Sequence, residues 1–262
     1  MPKLRLMPLI TLTSDFGYQD YYAAAVKAAV LKHSPEITII DISHGIAPFD
    51  VAQGVHVLQA VYQDFPSGTV HIFAVQGGRP VDRHIAFQWE SHYFIGSDNG
   101  FTGLLAGDAV KQCVSLETTN KQPMMFPAQA LYAPAAARLS QGIPLETLGA
   151  PYPHPQRLLG RQLRVVDNQL LGHVMHVDHY GNLVTNITKT VFERQHKGTR
   201  FEIRFARETL YTLHTQYAQV APGDCVGVFN SLGLLEIAIK QGHAAELLGM
   251  QYDSAVAITF YP

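Results

Sequence analysis

Asp15 follows the apolar run Leu9-Ile10-Thr11-Leu12 by way of Thr13-Ser14, and Gly17 ends the stretch. A carboxylate at the carboxyl end of a strand, just ahead of a helix, stands where open α/β sheets bind ligands. It can accept two hydrogen bonds side by side, which suits a ribose diol. The same residue type also closes turns by bonding its own backbone. A second stretch with chemical potential is Asp178-His179-Tyr180-Gly181-Asn182. Asn182 offers a donor and an acceptor, the pair an adenine edge requires, and Tyr180 offers a stacking face. A plain polar hairpin turn is the alternative. Asn230-Ser231-Leu232-Gly233 is a further turn, whose backbone amides suit a carboxylate.

Other patterns argue against familiar chemistries. His173, His176 and His179 resemble a metal cluster, but on a strand His176 points away from the other two. No HExxH is present. Ser43 and Ser231 lack the flanking glycines of a nucleophile elbow, which disfavours a Ser-His-Asp hydrolase. Cys113 has no basic partner or helix start nearby and reads as a small buried hydrophobe. Gln76-Gly77-Gly78-Arg79-Pro80-Val81-Asp82-Arg83-His84 is a polar loop without the GK[ST] of a phosphate loop.

The elements that must position these residues alternate in the first half. Leu9–Leu12 reads as a strand, and Tyr21–Lys32 as an alanine-rich helix capped by Asp20. Ile37–Ile42 reads as a buried strand. Asp50 caps a helix with Val51, Val55, Leu58 and Val61 on its apolar face, and Thr69–Val75 is a third strand. This β-α-β-α-β order predicts a mainly parallel sheet with helical crossovers. Ile85–Trp89 and His92–Ile95 predict an antiparallel hairpin. Gln129–Gln141 predicts a helix whose true start lies near Pro134. Prolines at 144, 151, 153 and 155 mark a boundary, giving domains 1–150 and 151–262. Beyond it, short runs at 172–177, 182–187, 199–205, 225–229, 234–239 and 255–260 predict a smaller antiparallel, barrel-like β domain.

Composition excludes several classes. The 262 residues are 47% hydrophobic and 15% charged, with a net charge of -2, so no basic patch invites nucleic acid. No apolar run approaches the ~20 residues of a membrane span. The two separated cysteines fit a reducing compartment, and the expectation is a cytoplasmic protein.

Taken in order, these stretches resemble the S-adenosylmethionine hydrolases (hydroxide adenosyltransferases) and their relatives, the fluorinases and chlorinases. The residues that carry the resemblance begin with Thr13-Ser14-Asp15-Phe16-Gly17, Asp20 and Tyr22. They continue through Ile40-Asp41-Ile42-Ser43-His44, Pro48-Phe49-Asp50-Val51 and Phe65-Pro66-Ser67-Gly68-Thr69-Val70. Asp98-Asn99-Gly100, the run from Asp178 to Ile187, and Asn230-Ser231-x-Gly233 complete them. The resemblance implies an α/β nucleoside-binding domain, a β domain, and a homotrimer with sites between neighbouring subunits. It implies no cofactor, with S-adenosylmethionine as substrate or ligand. Carried over, Asp15 holds the ribose hydroxyls, Phe49 packs against the nucleoside, Tyr22 is a further substrate-binding residue, Asn182 reads adenine and Tyr180 takes the family's aromatic place. Asp178 pairs with the methionine ammonium and Ser231 binds its carboxylate.

The implied reaction is a displacement at the ribose 5′ carbon, with water handled by an aspartate, an arginine and a histidine. Here Gln76 stands at the aspartate position, Arg83 keeps the arginine, and Pro127 replaces the histidine. Glutamine takes no proton and proline offers no side-chain donor. Catalytic sites are therefore expected at Arg83 and Gln76, with either a modified hydrolase or a binding homologue as the outcome. Asp82, His84 and Arg79 stand beside Arg83 as possible substitutes.

Overall fold

The computed structural model describes residues 9–76, 83–110, 112–116 and 124–261. The chain divides into two compact units, residues 1–160 and 161–262.

In the first unit, β1 (Leu9–Ser14) runs into α1 (Tyr22–His33), then β2 (Thr38–Ser43), α2 (Val51–Gln59) and β3 (Val70–Ala74). The hairpin β4 (His84–Trp89) and β5 (His92–Ser97) follows, then α3 (Phe101–Ala106), β6 (Gln112–Leu116), α4 (Ala133–Ser140) and β7 (Gly149–Pro151). The sheet order is β2-β1-β3-β5-β4-β6-β7. The neighbours β2, β1, β3 and β5 pair in parallel, while β4, β6 and β7 pair antiparallel. Helices cover both faces, as parallel strands require. Ile10, Leu12, Val70 and Ile72 pack with α1 and α4. Phe73, Ile85, Phe87 and Phe94 pack with α2 and α3.

Two local expectations fail for physical reasons. Asp20 does not cap α1: Tyr21 holds the N-cap position and no side chain bonds there. The second strand is not buried, because it lies at the sheet edge, and Ile40 is exposed. An apolar run has the same composition at an edge as in the middle. By contrast, Asp50 Oδ1 accepts from Gln53 N at 2.9 Å and caps α2. The helix around Pro134 starts as a π turn over Ala128–Tyr132, with Ala133 N donating to Ala128 O, before α4 begins. The wider turn accommodates a proline with no N–H to give.

The second unit holds β8 (Arg164–Val166), β9 (Gln169–Val177), β10 (Leu183–Thr188), α5 (Lys189–Gln195), β11 (Phe201–Phe205) and β12 (Glu208–Leu210). After these come β13 (Cys225–Phe229), β14 (Leu234–Ile239), α6 (Ala244–Leu248) and β15 (Ala255–Phe260). The order β12-β11-β15-β9-β10-β14-β13 is antiparallel throughout, and β8 adds to β9. A lone bridge from His214 to Val228 brings the chain just beyond β12 to β13, nearly closing a barrel. Leu170, Leu183, Ile203, Leu235, Ile237 and Ile258 fill its core.

Candidate functional site

Parallel pairing puts the carboxyl ends of β1, β3 and β5 on one edge, and antiparallel β4 begins there. Asp15, Gln76, Ser97-Asp98 and Arg83-His84 therefore share that edge. Asp15 is held from two sides. Its Oδ2 accepts from Phe49 N at 3.0 Å and from Gln76 N at 3.3 Å, so the three residues come together directly. Oδ1 has no hydrogen-bond partner among the described residues. Phe49 is exposed and adopts φ +69, the left-handed region that a bulky residue enters at a cost.

The loop under Asp15 is fixed by His44. Gly17 N donates to His44 O at 2.8 Å, His44 N donates to Tyr18 Oη at 3.1 Å, and His44 Nδ1 lies 2.6 Å from Ser14 Oγ. Asp41 Oδ1 is 3.2 Å from His44 Nε2. Ser14, His44 and Asp41 thus line up, at Ser14 rather than at the serines weighed from sequence, with only the Ser14–His44 contact a hydrogen bond. Ser14 is fully buried, however, so the array braces the strand end and presents no nucleophile. Tyr22 packs with Phe16 and Phe126, the ring centroids 5.5–5.8 Å apart, and Pro127 follows directly.

Arg83 is anchored through Asp98. Asp98 N donates to Arg83 O at 2.9 Å, Tyr152 Oη donates to Asp98 Oδ2 at 2.9 Å, and Arg83 Nη1 donates to Tyr152 Oη at 3.2 Å. The guanidinium also lies 5.3 Å from the Tyr152 ring centre. Gln156 N gives buried Asp98 a further donor at 2.7 Å. The following Gly100 has φ +94, and a Cβ there would meet Leu158 at 2.4 Å. On the other face, Tyr132 Oη sits between His84 Nδ1 at 2.6 Å and Ser97 Oγ at 2.7 Å. Burial pushes the Tyr132 phenol above its ordinary pKa, so it stays protonated. Arg79 and Asp82 lie outside the described residues.

In the second unit, Asp178, Tyr180 and Asn182 form one closed turn. Asp178 Oδ1 accepts from Tyr180 N at 2.9 Å and Asn182 N at 2.8 Å, and Oδ2 accepts from Asn182 Nδ2 at 3.0 Å. One N–H of Asn182 is thereby spent on the turn; its second N–H and its Oδ1 have no hydrogen-bond partner among the described residues. Gly181 has φ +82, and a Cβ there would strike the His243 ring at 2.4 Å. Ser231 is exposed in the Asn230–Gly233 turn, which Asn230 Oδ1 closes by accepting from Leu232 N at 3.0 Å and Leu234 N at 3.1 Å.

The sequence passed over Tyr132, Tyr152, Tyr217 and Glu236. Only Glu236 left a signal, as a lone charge inside the apolar run of β14. Among the described residues, no group of three or more His, Cys, Asp or Glu is placed to hold a metal; His173 lies 3.6 Å from Asp253 instead. Cys113 is buried, and burial followed by the Asp98 charge pushes its thiol up to about 12.

Residues 10–149 match the SAM hydroxide adenosyltransferase N-terminal domain and residues 172–257 match its C-terminal domain. The chain belongs to the SAM hydroxide adenosyltransferase family, SAM being S-adenosylmethionine. It is 29% identical to an (R)-S-adenosyl-L-methionine hydrolase of Salinispora tropica, over 96% of this chain and 98% of that one. A fluorinase of Nocardia brasiliensis is 27% identical over 88% of this chain and 90% of its own. Among solved structures, an uncharacterized conserved protein from Thermotoga maritima superposes with a TM-score of 0.87 at 29% identity, covering 96% of this chain and 99% of that one.

Proposed function

We propose that this protein binds S-adenosylmethionine and transfers its adenosyl group to water or another small nucleophile, with methionine as the leaving group. The observation that carries this reading is Asp15, one oxygen fixed by two backbone amides and the other without a hydrogen-bond partner among the described residues. Such a carboxylate suits a vicinal diol. Phe49 and Tyr22 line the nucleoside, Asn182 reads adenine with Tyr180 beside it, Asp178 meets the ammonium and Ser231 the carboxylate.

In the reaction, a C5′–O bond forms as the C5′–S bond breaks, the electron pair going to sulfur and, for water, one proton leaving. Positive charge on sulfur disappears as the bond breaks, so a preorganised site with little water favours the step. Arg83 orients the nucleophile, and Gln76 offers it a hydrogen bond but no base. General-base help is ordinarily worth 10²–10⁴-fold, so turnover on water is slow. Gln76 and Pro127 favour a second reading, a homologue that holds the ligand without turnover. Each ligand lies between neighbouring copies of a cytoplasmic homotrimer, and neither nucleic acid nor membrane is a partner.

Chromatography after incubation with S-adenosylmethionine separates the readings. Adenosine and methionine released together support the enzyme. An adduct of another anion supports a different nucleophile. Bound but intact S-adenosylmethionine supports the binding homologue, and no binding of adenosine at millimolar concentration overturns both.

A further inference from the structure

Glu236 is a buried carboxylate in the middle of β14, flanked by apolar residues. A carboxylate in such a place needs donors, and two reach it. Tyr217 Oη donates to Oε1 at 2.6 Å and Asn230 Nδ2 donates to Oε2 at 3.1 Å. Glu236 pairs in register with Val184 of β10, so the two side chains share a face. Asn182 stands two residues before Val184, on that same side, and bonds Asp178. One face of this unit thus gathers Asp178, Asn182, Tyr217, Asn230 and Glu236.

We propose that Glu236 is a positioning residue for the amino-acid end of the ligand: it fixes Tyr217 as an acceptor for the ammonium and the Asn230–Gly233 turn as a donor set for the carboxylate. This rests on the adenosyl-transfer reading above. The reason is proton bookkeeping. A carboxylate only accepts, so Tyr217 must spend its hydroxyl proton on Glu236, and its oxygen then offers lone pairs to any incoming donor. The same constraint orients the Asn230 amide. Its Nδ2 faces Glu236 and its Oδ1 takes Leu232 N and Leu234 N, so the turn cannot flip. Ser231 N–H and hydroxyl have no partner among the described residues. The loop bearing Tyr217 is itself rigid: Gln219 Oε1 accepts from Thr215 N and Gln216 N, and Lys240 Nζ donates to Ala218 O and Val220 O. Burial, then the Glu236 and Asp178 carboxylates, push the Tyr217 phenol above its ordinary pKa, in keeping with a retained proton.

Calorimetric titration with S-adenosylmethionine and with adenosine tests the assignment, using the unaltered protein, Glu236→Gln and Tyr217→Phe. The expected result is a loss of S-adenosylmethionine affinity of about tenfold for Glu236→Gln and about fivefold for Tyr217→Phe, with adenosine affinity within twofold throughout. A fold defect would weaken both ligands alike, so the ratio of the two affinities is the readout. Equal losses, or no loss in a variant with unchanged circular dichroism, overturn the inference. Should Glu236→Gln fail to fold, Tyr217→Phe carries the test alone, since Tyr217 is 44% exposed. Unaltered protein that binds adenosine but not S-adenosylmethionine overturns this inference and leaves the nucleoside reading standing. Protein that binds neither overturns both.

Discussion

Asp15 and Phe49 hold one another in place: the Phe49 amide donates to Asp15 Oδ2 at 3.0 Å, and that bond anchors a residue at φ +69. The carboxylate therefore organises the entry to α2 through one oxygen, while the other has no hydrogen-bond partner among the described residues. Asp15→Ala is expected to weaken adenosine binding more than tenfold by calorimetry. Asp15→Asn is expected to weaken it less, because an amide oxygen still accepts. Equal binding by all three proteins would remove Asp15 from the site.

Phe49 tests whether an exposed aromatic serves packing or recognition. Glycine at 49 relieves left-handed strain of order 1–2 kcal/mol and adds unfolded-state freedom of about 0.5–1 kcal/mol, so the two nearly cancel. Phe49→Gly is expected to melt within a few degrees of the unaltered protein while binding adenosine about fivefold more weakly. A large drop in melting temperature would show that the ring is structural.

Placing a proton acceptor at position 76 tests the proposed chemistry. Gln76→Asp combined with Pro127→His is expected to raise adenosine formation from S-adenosylmethionine by at least tenfold. Proline 127 begins the turn ahead of the π segment, so circular dichroism should accompany the assay. No rise in a folded variant would place the barrier elsewhere in the site.

Acid stability follows from a buried relay away from the site. Thr11 Oγ1 lies 2.7 Å from His71 Nδ1, and His71 Nε2 lies 3.1 Å from His92 Nδ1. Burial, then His92, lowers the His71 pKa to about 3; burial lowers that of His92 too. The unfolded chain takes up these protons first, so stability is full above pH ~6.5 and falls as the pH drops toward 3. The slope is about 1.4 kcal/mol per pH unit for His71 alone. Urea midpoints measured from pH 7 to pH 4.5 should fall along this line, and His71→Leu should be less stable but flatter. A midpoint independent of pH would contradict the assignment.

Much of this was legible in the sequence, where signals are local. The strand ending at Asp15, the Asp50 cap and the Asp178–Asn182 turn depend on residues a few positions apart. The edge position of β2 was not legible, since neighbours, not composition, decide it. Nor were Tyr152 with Asp98, 54 residues apart, or Tyr217 with Glu236, 19 apart. A tyrosine announces no partner, and only folding reveals which buried carboxylate it meets. Ser14 with His44 shows the converse: reactive types brought together can serve only to brace a loop.

The π turn ahead of Pro134 has a consequence for any attempt to tidy this protein by design. Replacing that proline with alanine would restore the backbone donor and invite the segment to rewind with one residue fewer in the wide turn. Each residue of rewinding swings a side chain by about 100°, enough to carry the Tyr132 hydroxyl out from between the two strands it now bridges. A substitution that ordinarily stabilises a helix would then break the hydroxyl bridge between His84 and Ser97, leaving α4 held by the packing of Ala133, Ala136 and Leu139.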